Sequence, residues 1–155
     1  MTRLLAVIAA FSLAGFALLD PIERALVYPF DTTRIRPADA GEPRLQEVFF
    51  QSAGETLILW VAPPKTGKPT LLYFHGNAGN LANRTGRFTR FLDRGYGLIA
   101  PAYRGSSGST GTPTEPDLHA DAARVYASIG ELVDGLTTNQ LVLYGESLGT
   151  GVAIA

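Results

Sequence analysis

Two short runs in this chain carry residues that could do chemistry. In Leu141-Val-Leu-Tyr-Gly-Glu-Ser-Leu-Gly-Thr-Gly151, an apolar run meets Gly145-Glu-Ser147-Leu-Gly149 and opens into small residues suited to starting a helix. A serine framed by glycines in this way, between a strand and a helix, sits on a sharp turn that presents its hydroxyl to solvent. Gly145 and Gly149 supply the clearance such a turn needs, and the Leu148 N–H at the helix start can donate to a developing oxyanion. The chemistry expected is nucleophilic attack by Ser147. A bare G-x-S-x-G recurs widely, so a phosphate-binding or purely structural strand-turn-helix is the competing reading.

The second run is His75-Gly-Asn-Ala-Gly-Asn80, which follows the unbroken apolar segment Thr70-Leu-Leu-Tyr-Phe74. A loop leaving a buried strand beside the serine turn is where a second amide donor would originate, and the Asn77 backbone is the candidate. His75 and Gly76 are read as loop support, with His75 bracing the turn by hydrogen bonds rather than acting as a base. His119 falls on the polar side of a helical pattern and reads as solvent-facing.

These runs need elements to position them. Arg44-Leu-Gln-Glu-Val-Phe-Phe-Gln51 and Thr56-Leu-Ile-Leu-Trp-Val61 read as two strands joined by a hairpin turn at Ser52-Ala-Gly54-Glu. Thr70 to Phe74, Gly97-Leu-Ile-Ala100 and Leu141 to Tyr144 are short apolar runs, as expected of strands buried on both faces. Between them, Asn80 can cap a helix placing Leu81, Phe88, Phe91 and Leu92 on one face, with Gly95 as its stop. Thr114-Glu-Pro-Asp117 reads as a capping box for a helix carrying Leu118, Ala122, Val125, Tyr126, Ile129 and Val133 at helical spacing. Strands alternating with amphipathic helices predict an α/β fold with a parallel sheet.

Composition bounds the rest. The chain has 155 residues, 46% of them hydrophobic and 17% charged, enough for one domain with a core. A net charge of −1 with no block of like charges argues against a nucleic-acid partner, and the absence of cysteine excludes disulfides and thiolate metal sites. Gly105-Ser-Ser-Gly-Ser-Thr-Gly111 lacks the lysine of a phosphate loop, and no G-x-G-x-x-G occurs, so no cofactor and no metal are expected. Residues 1–19 carry an uncharged run from Leu4 to Leu19 behind Arg3. It is slightly shorter than the roughly 20 residues that span a bilayer. The expectation is an uncleaved anchor with its amino end in the cytoplasm and the domain outside the inner or plasma membrane; cleavage would make the product periplasmic or secreted. Residues 20–43 form a connector whose apolar cluster is Leu26-Val-Tyr-Pro-Phe30, and residues 44–155 form the globular domain.

Taken together, Leu26-Val-Tyr-Pro, Leu72-Tyr-Phe-His-Gly-Asn-Ala-Gly-Asn80, Tyr103-Arg-Gly105, Gly108-Ser-Thr-Gly-Thr-Pro113 and Tyr144-Gly-Glu-Ser-Leu-Gly149 resemble the α/β-hydrolase superfamily. The likeness is to its branch of membrane-anchored serine hydrolases, related to depalmitoylases and lysophospholipases. It implies an incomplete α/β-hydrolase fold, in which an N-terminal antiparallel hairpin leads into a parallel sheet flanked by helices. It also implies Ser147 as nucleophile, Asn77 and Leu148 as oxyanion donors, and a small-molecule or lipid acyl ester or thioester as substrate. Two positions depart from the pattern: Ala102 stands where an acidic residue is common, and Ser106 where an aromatic is. Both are expected to alter the pocket lining. By the resemblance, the catalytic acid and histidine follow the serine, and no histidine follows Ser147 here. The chain therefore reads as the front part of a hydrolase, nearly inert alone, with Leu141–Tyr144 as a bare sheet edge open to pairing. A non-catalytic membrane-tethered module and a peptidase of the same superfamily are the alternatives.

Overall fold

The computed structural model describes residues 25–155, so the expected N-terminal anchor lies outside the described residues. Five strands form one mixed sheet: β1 (Gln46–Ser52), β2 (Glu55–Ala62), β3 (Thr70–Phe74), β4 (Gly97–Pro101) and β5 (Leu141–Gly145). Their spatial order is β1-β2-β4-β3-β5. The first two strands pair antiparallel and β2 runs antiparallel to β4, whereas β4, β3 and β5 are mutually parallel. The turn between β1 and β2 is tight, with Ala53 at φ 49° and Gly54 at φ 86°. Two consecutive left-handed residues match the twist of the flanking strands, which is why Gly54 suits this place.

The helices are α1 (Thr85–Asp93), α2 (Glu115–Ala127), α3 (Ile129–Leu132) and α4 (Leu148–Ile154). Because successive strand side chains point to opposite faces, the sheet feeds two cores. On the α1 face, Trp60, Tyr73 and Leu98 meet Phe88 and Leu92. On the other face, Leu59, Leu72, Phe74 and Ile99 meet Leu118, Val125 and Val152. Aromatic contacts bind β5 to the α1 side: Tyr144 stacks on Tyr73 at 5.0 Å and meets Phe91 edge-on at 5.5 Å.

Three local details differ from the sequence expectation. Asn80 caps a four-residue 3-10 turn, Leu81–Arg84, rather than α1 itself, because Asn80 and Asn83 satisfy each other's backbone N–H groups reciprocally. The helical pattern expected to run through Val133 breaks at Ser128, whose backbone leaves helical geometry, so Ile129 and Val133 reach the core from beyond the break. Tyr126 is 43% exposed instead of facing the core. The strand β5 is the outer strand on its side, with Val142 and Leu143 at 43% and 47% exposure, as an edge strand requires.

Parts of the 20–43 stretch pack on the domain. Glu42 is buried, bonded to Arg44 and Thr89, and its pKa falls to about 2, chiefly through the Arg44 hydrogen bonds against the opposing effect of burial.

The loop after β4 is stapled by a buried ion pair. The Arg104 guanidinium donates to both Asp121 carboxylate oxygens at 2.8 and 3.1 Å and also reaches Asp117 at 2.8 Å. Ser52 Oγ at the hairpin donates to Asp121 at 2.5 Å. Asp121 thus joins α2, the hairpin and the β4 loop. Removing one partner of a buried pair leaves the other charge uncompensated, so D121A should destabilise the protein by about 3–5 kcal/mol in urea unfolding. A loss under about 1 kcal/mol, the range of a surface pair, would show that the staple carries little.

Candidate active site

The chain turns sharply where β5 ends. Ser147 sits at φ 50°, ψ −116°, a conformation L side chains rarely adopt, immediately before α4. The turn closes through Gly149 N–H to Glu146 O and Thr150 N–H to Ser147 O, both 2.9 Å. Ser147 is exposed, Gly149 buried. An outlying φ for a residue other than glycine persists only when its surroundings over-determine it, and here they do. A Cβ on Gly149 would lie 2.1 Å from the Phe74 carbonyl oxygen and 2.8 Å from that of His75. One on Gly145 would meet Thr150 Cα at 2.5 Å. Gly149 therefore lets α4 press its first turn against the end of β3, and Gly145 leaves room for the start of α4.

The loop after β3 lies against this turn. Phe74 pairs with Gly145 in register, and Glu146 N–H donates to Phe74 O at 2.9 Å. A Cβ on Gly76 would lie 3.4 Å from Glu146 O, so residues 75–76 run alongside the elbow. His75 is fully buried. Its Nδ1 lies 2.7 Å from Gly76 O and its Nε2 faces the Tyr103 N–H at 3.5 Å, while the Tyr103 hydroxyl donates to His75 O at 2.9 Å. Burial drops its pKa to about 4, so the imidazole is neutral at ordinary pH with both nitrogens turned to backbone. This arrangement lets the ring brace the loop.

Glu146, between Gly145 and Ser147, anchors a charged cluster that sequence reasoning missed. Its carboxylate accepts from the Tyr73 hydroxyl and from Arg87 Nη1 at 2.6 Å, with Arg84 Nε at 3.7 Å. Burial pushes its pKa up, but the Tyr73 hydrogen bond and the two arginines outweigh it, and the net direction is down. Arg84 is buried and also donates to Asn80 O at 3.0 Å and Gly76 O at 3.4 Å. Arg84, Arg87 and Arg90 recur at three-residue spacing, the one signal in the sequence that could have found this face. They line a groove of about 550 Å³ together with Ala78, Gly79 and Glu146.

His119 is half-buried rather than solvent-facing. It lines an apolar groove of about 510 Å³ with Phe74, Tyr126, Leu143 and Val152, to which α2, β5 and α4 all contribute. Ala102 and Ser106 are both fully buried, and Ala102 lines a small enclosed cavity with Phe74 and Leu118. No cluster of metal-ligating side chains occurs among the described residues.

Among curated proteins, the chain is similar to protein bem46 of Schizosaccharomyces pombe, with 38% identity over 89 residues, 57% of this chain and 29% of that protein. It is 36% identical to human protein ABHD12B over 64% of this chain and 27% of that one. It is 37% identical to lysophosphatidylserine lipase ABHD12 of Xenopus tropicalis over 57% of this chain and 22% of that one. The chain thus spans under a third of the length of these relatives. Among solved structures, an esterase of Pyrococcus furiosus superposes with a TM-score of 0.60 at 18% identity, covering 82% of this chain and 51% of that one. An alpha-beta hydrolase of Vibrio vulnificus superposes with a TM-score of 0.59 at 21% identity, covering 71% of this chain and 38% of that one. Likeness at such identities speaks for the fold alone. The sequence profile described as alpha/beta hydrolase fold matches residues 69–155, more than half of the chain and all of the sheet from β3 onward, and the chain belongs to that family.

Proposed function

We propose that Ser147 is the nucleophile of a serine hydrolase that cleaves acyl ester or thioester bonds. The observation that carries this reading is the backbone of Ser147, held at φ 50° on an exposed turn between β5 and α4. In the reaction, Ser147 Oγ attacks the acyl carbonyl carbon and its proton passes to a base. The carbonyl oxygen becomes an oxyanion held by the Asn77 and Leu148 N–H groups. Collapse expels the alcohol or thiol, and water releases the acid from the acyl-enzyme. Neither amide has a backbone or side-chain acceptor among the described residues, which supports their role as donors.

His75 is unsuited to be the base, since it is buried, its basicity is lowered by that burial, and both ring nitrogens are engaged. By family likeness the base and its acid partner follow the serine in chain order. The substrate class we favour is a monoacyl lipid with a phosphate headgroup, because relatives are named lysophosphatidylserine lipases. The groove lined by Arg84, Arg87 and Arg90 suits an anionic headgroup, and the apolar groove beside Phe74 and Val152 suits a chain. The apolar N-terminal run is proposed to anchor the domain at the membrane where such lipids reside. A second reading, a tethered module that binds a partner along β5, rests on the exposure of Val142 and Leu143.

A fluorophosphonate probe tests the nucleophile. Labelling should be confined to Ser147 and lost in S147A. Labelling that survives in S147A would refute the assignment. The elbow itself is tested by G149A, whose added methyl meets main chain that cannot yield. Thermal or urea unfolding should show a loss of about 3 kcal/mol, the upper end for overpacking, and probe labelling should fall in parallel. Unchanged stability and labelling would mean that α4 does not need its close approach to β3.

A further inference from the structure

Residues 27–31 run across the loop that carries Asn77 and bond to it at every turn. Asn77 Nδ2 donates to Val27 O at 3.2 Å. Phe30 forms a parallel bridge with Gly79, and Asp31 N–H donates to Gly79 O at 3.1 Å. The Asp31 carboxylate accepts from Asn80 Nδ2 at 2.7 Å through one oxygen and from Thr33 N–H at 2.8 Å through the other. Asp31 O accepts from Ser107 N–H at 2.9 Å, and Ser107 Oγ accepts from Leu81 N–H at 2.9 Å. The Phe30 ring packs against His75 and Tyr103 with centroids 5.7 and 5.5 Å away. The loop is thus fixed at one end by β3 and at the other by Leu81, and this strap holds its middle.

Oxyanion donors work only when they are already in place, since ordering them during the reaction would consume the stabilisation they provide. Fixing one backbone residue costs about 1–2 kcal/mol, and a loop containing Gly76 and Gly79 has more freedom than most to lose. We propose that residues 27–31 form a positioning strap that preorganises the amides of residues 77–79, with the Asp31–Asn80 hydrogen bond as its principal clasp. The inference rests on the proposed donor role of the Asn77 backbone. It makes Asp31, Asn80 and Phe30 positioning residues, distinct from any group that touches substrate. The connector then has a job at the site in addition to joining two parts of the chain.

A polarity swap separates this role from a merely structural one. N80D sets a second carboxylate against Asp31, yet aspartate caps a helical turn as well as asparagine and keeps the bond from Asn83 N–H. The double variant D31N/N80D restores the clasp with donor and acceptor exchanged, and residue 31 still accepts from Thr33. In the full chain in detergent micelles, ¹⁵N relaxation should show the order parameters of residues 77–79 falling from about 0.85 to below about 0.6 in N80D and recovering in the double variant. The melting temperature should barely move. Fluorophosphonate labelling of Ser147 should slow about tenfold in N80D and return in the double variant. Order parameters unchanged by N80D, or not recovered in the double variant, would overturn the proposal. Order parameters that respond and recover in a protein whose Ser147 takes no probe would support the strap and overturn the nucleophile assignment instead.

Discussion

The arrangement depends on one close approach: the first turn of α4 against the last carbonyls of β3. Only a hydrogen can occupy the Gly149 side of that contact, with the Phe74 and His75 carbonyl oxygens where a Cβ would stand. Gly145 plays the same part on the other side of the serine. Close packing of this kind leaves Ser147 no room to relax out of its left-handed backbone conformation, so strain at one residue is sustained by fit at two others. The exposure of the hydroxyl, the direction of the α4 N-terminus and the proximity of the His75 loop all follow from it.

A second layer holds the contact in place electrostatically. Glu146 sits inside the turn, and its carboxylate gathers Tyr73 from β3, Arg87 from α1 and Arg84 from the 3-10 turn. Arg84 in turn reaches the carbonyls of Gly76 and Asn80, so one cluster ties the elbow to both ends of the neighbouring loop. The half-buried position matters. A carboxylate there is worth keeping only if it is fully paired, and paired it carries less screening than a surface bridge would. From the opposite side the strap of residues 27–31 bonds the same loop, and the His75 ring, neutral and enclosed, fills the space beneath it.

Much of the fold was legible because local patterns were unambiguous. The hairpin followed from two strand-like runs on either side of Ser52-Ala-Gly54-Glu, and the apolar runs at Thr70 and Gly97 became central strands. The elbow was legible from Gly145 and Gly149 on either side of Ser147, since few residue types tolerate that turn. The misses share a cause. His119 and Tyr126 lie on a helix whose neighbours are set by the sheet edge, which helical spacing does not encode. The roles of Arg87 and Asp31 depend on partners far away in the chain, 59 residues for Arg87 with Glu146 and 49 for Asp31 with Asn80, and no window of sequence brings such partners together.

The sequence by itself determined what is local: strand and helix periods, the turn residues, and the glycines that permit a strained serine. Tertiary structure alone decided which loop lies beside the elbow, which charge neutralises Glu146, and that a connector segment clasps residues 77–80. The physical reason is one of range. Backbone preference and hydrophobic period act over a few residues, whereas hydrogen bonds and ion pairs between distant segments exist only once the sheet order has brought those segments together.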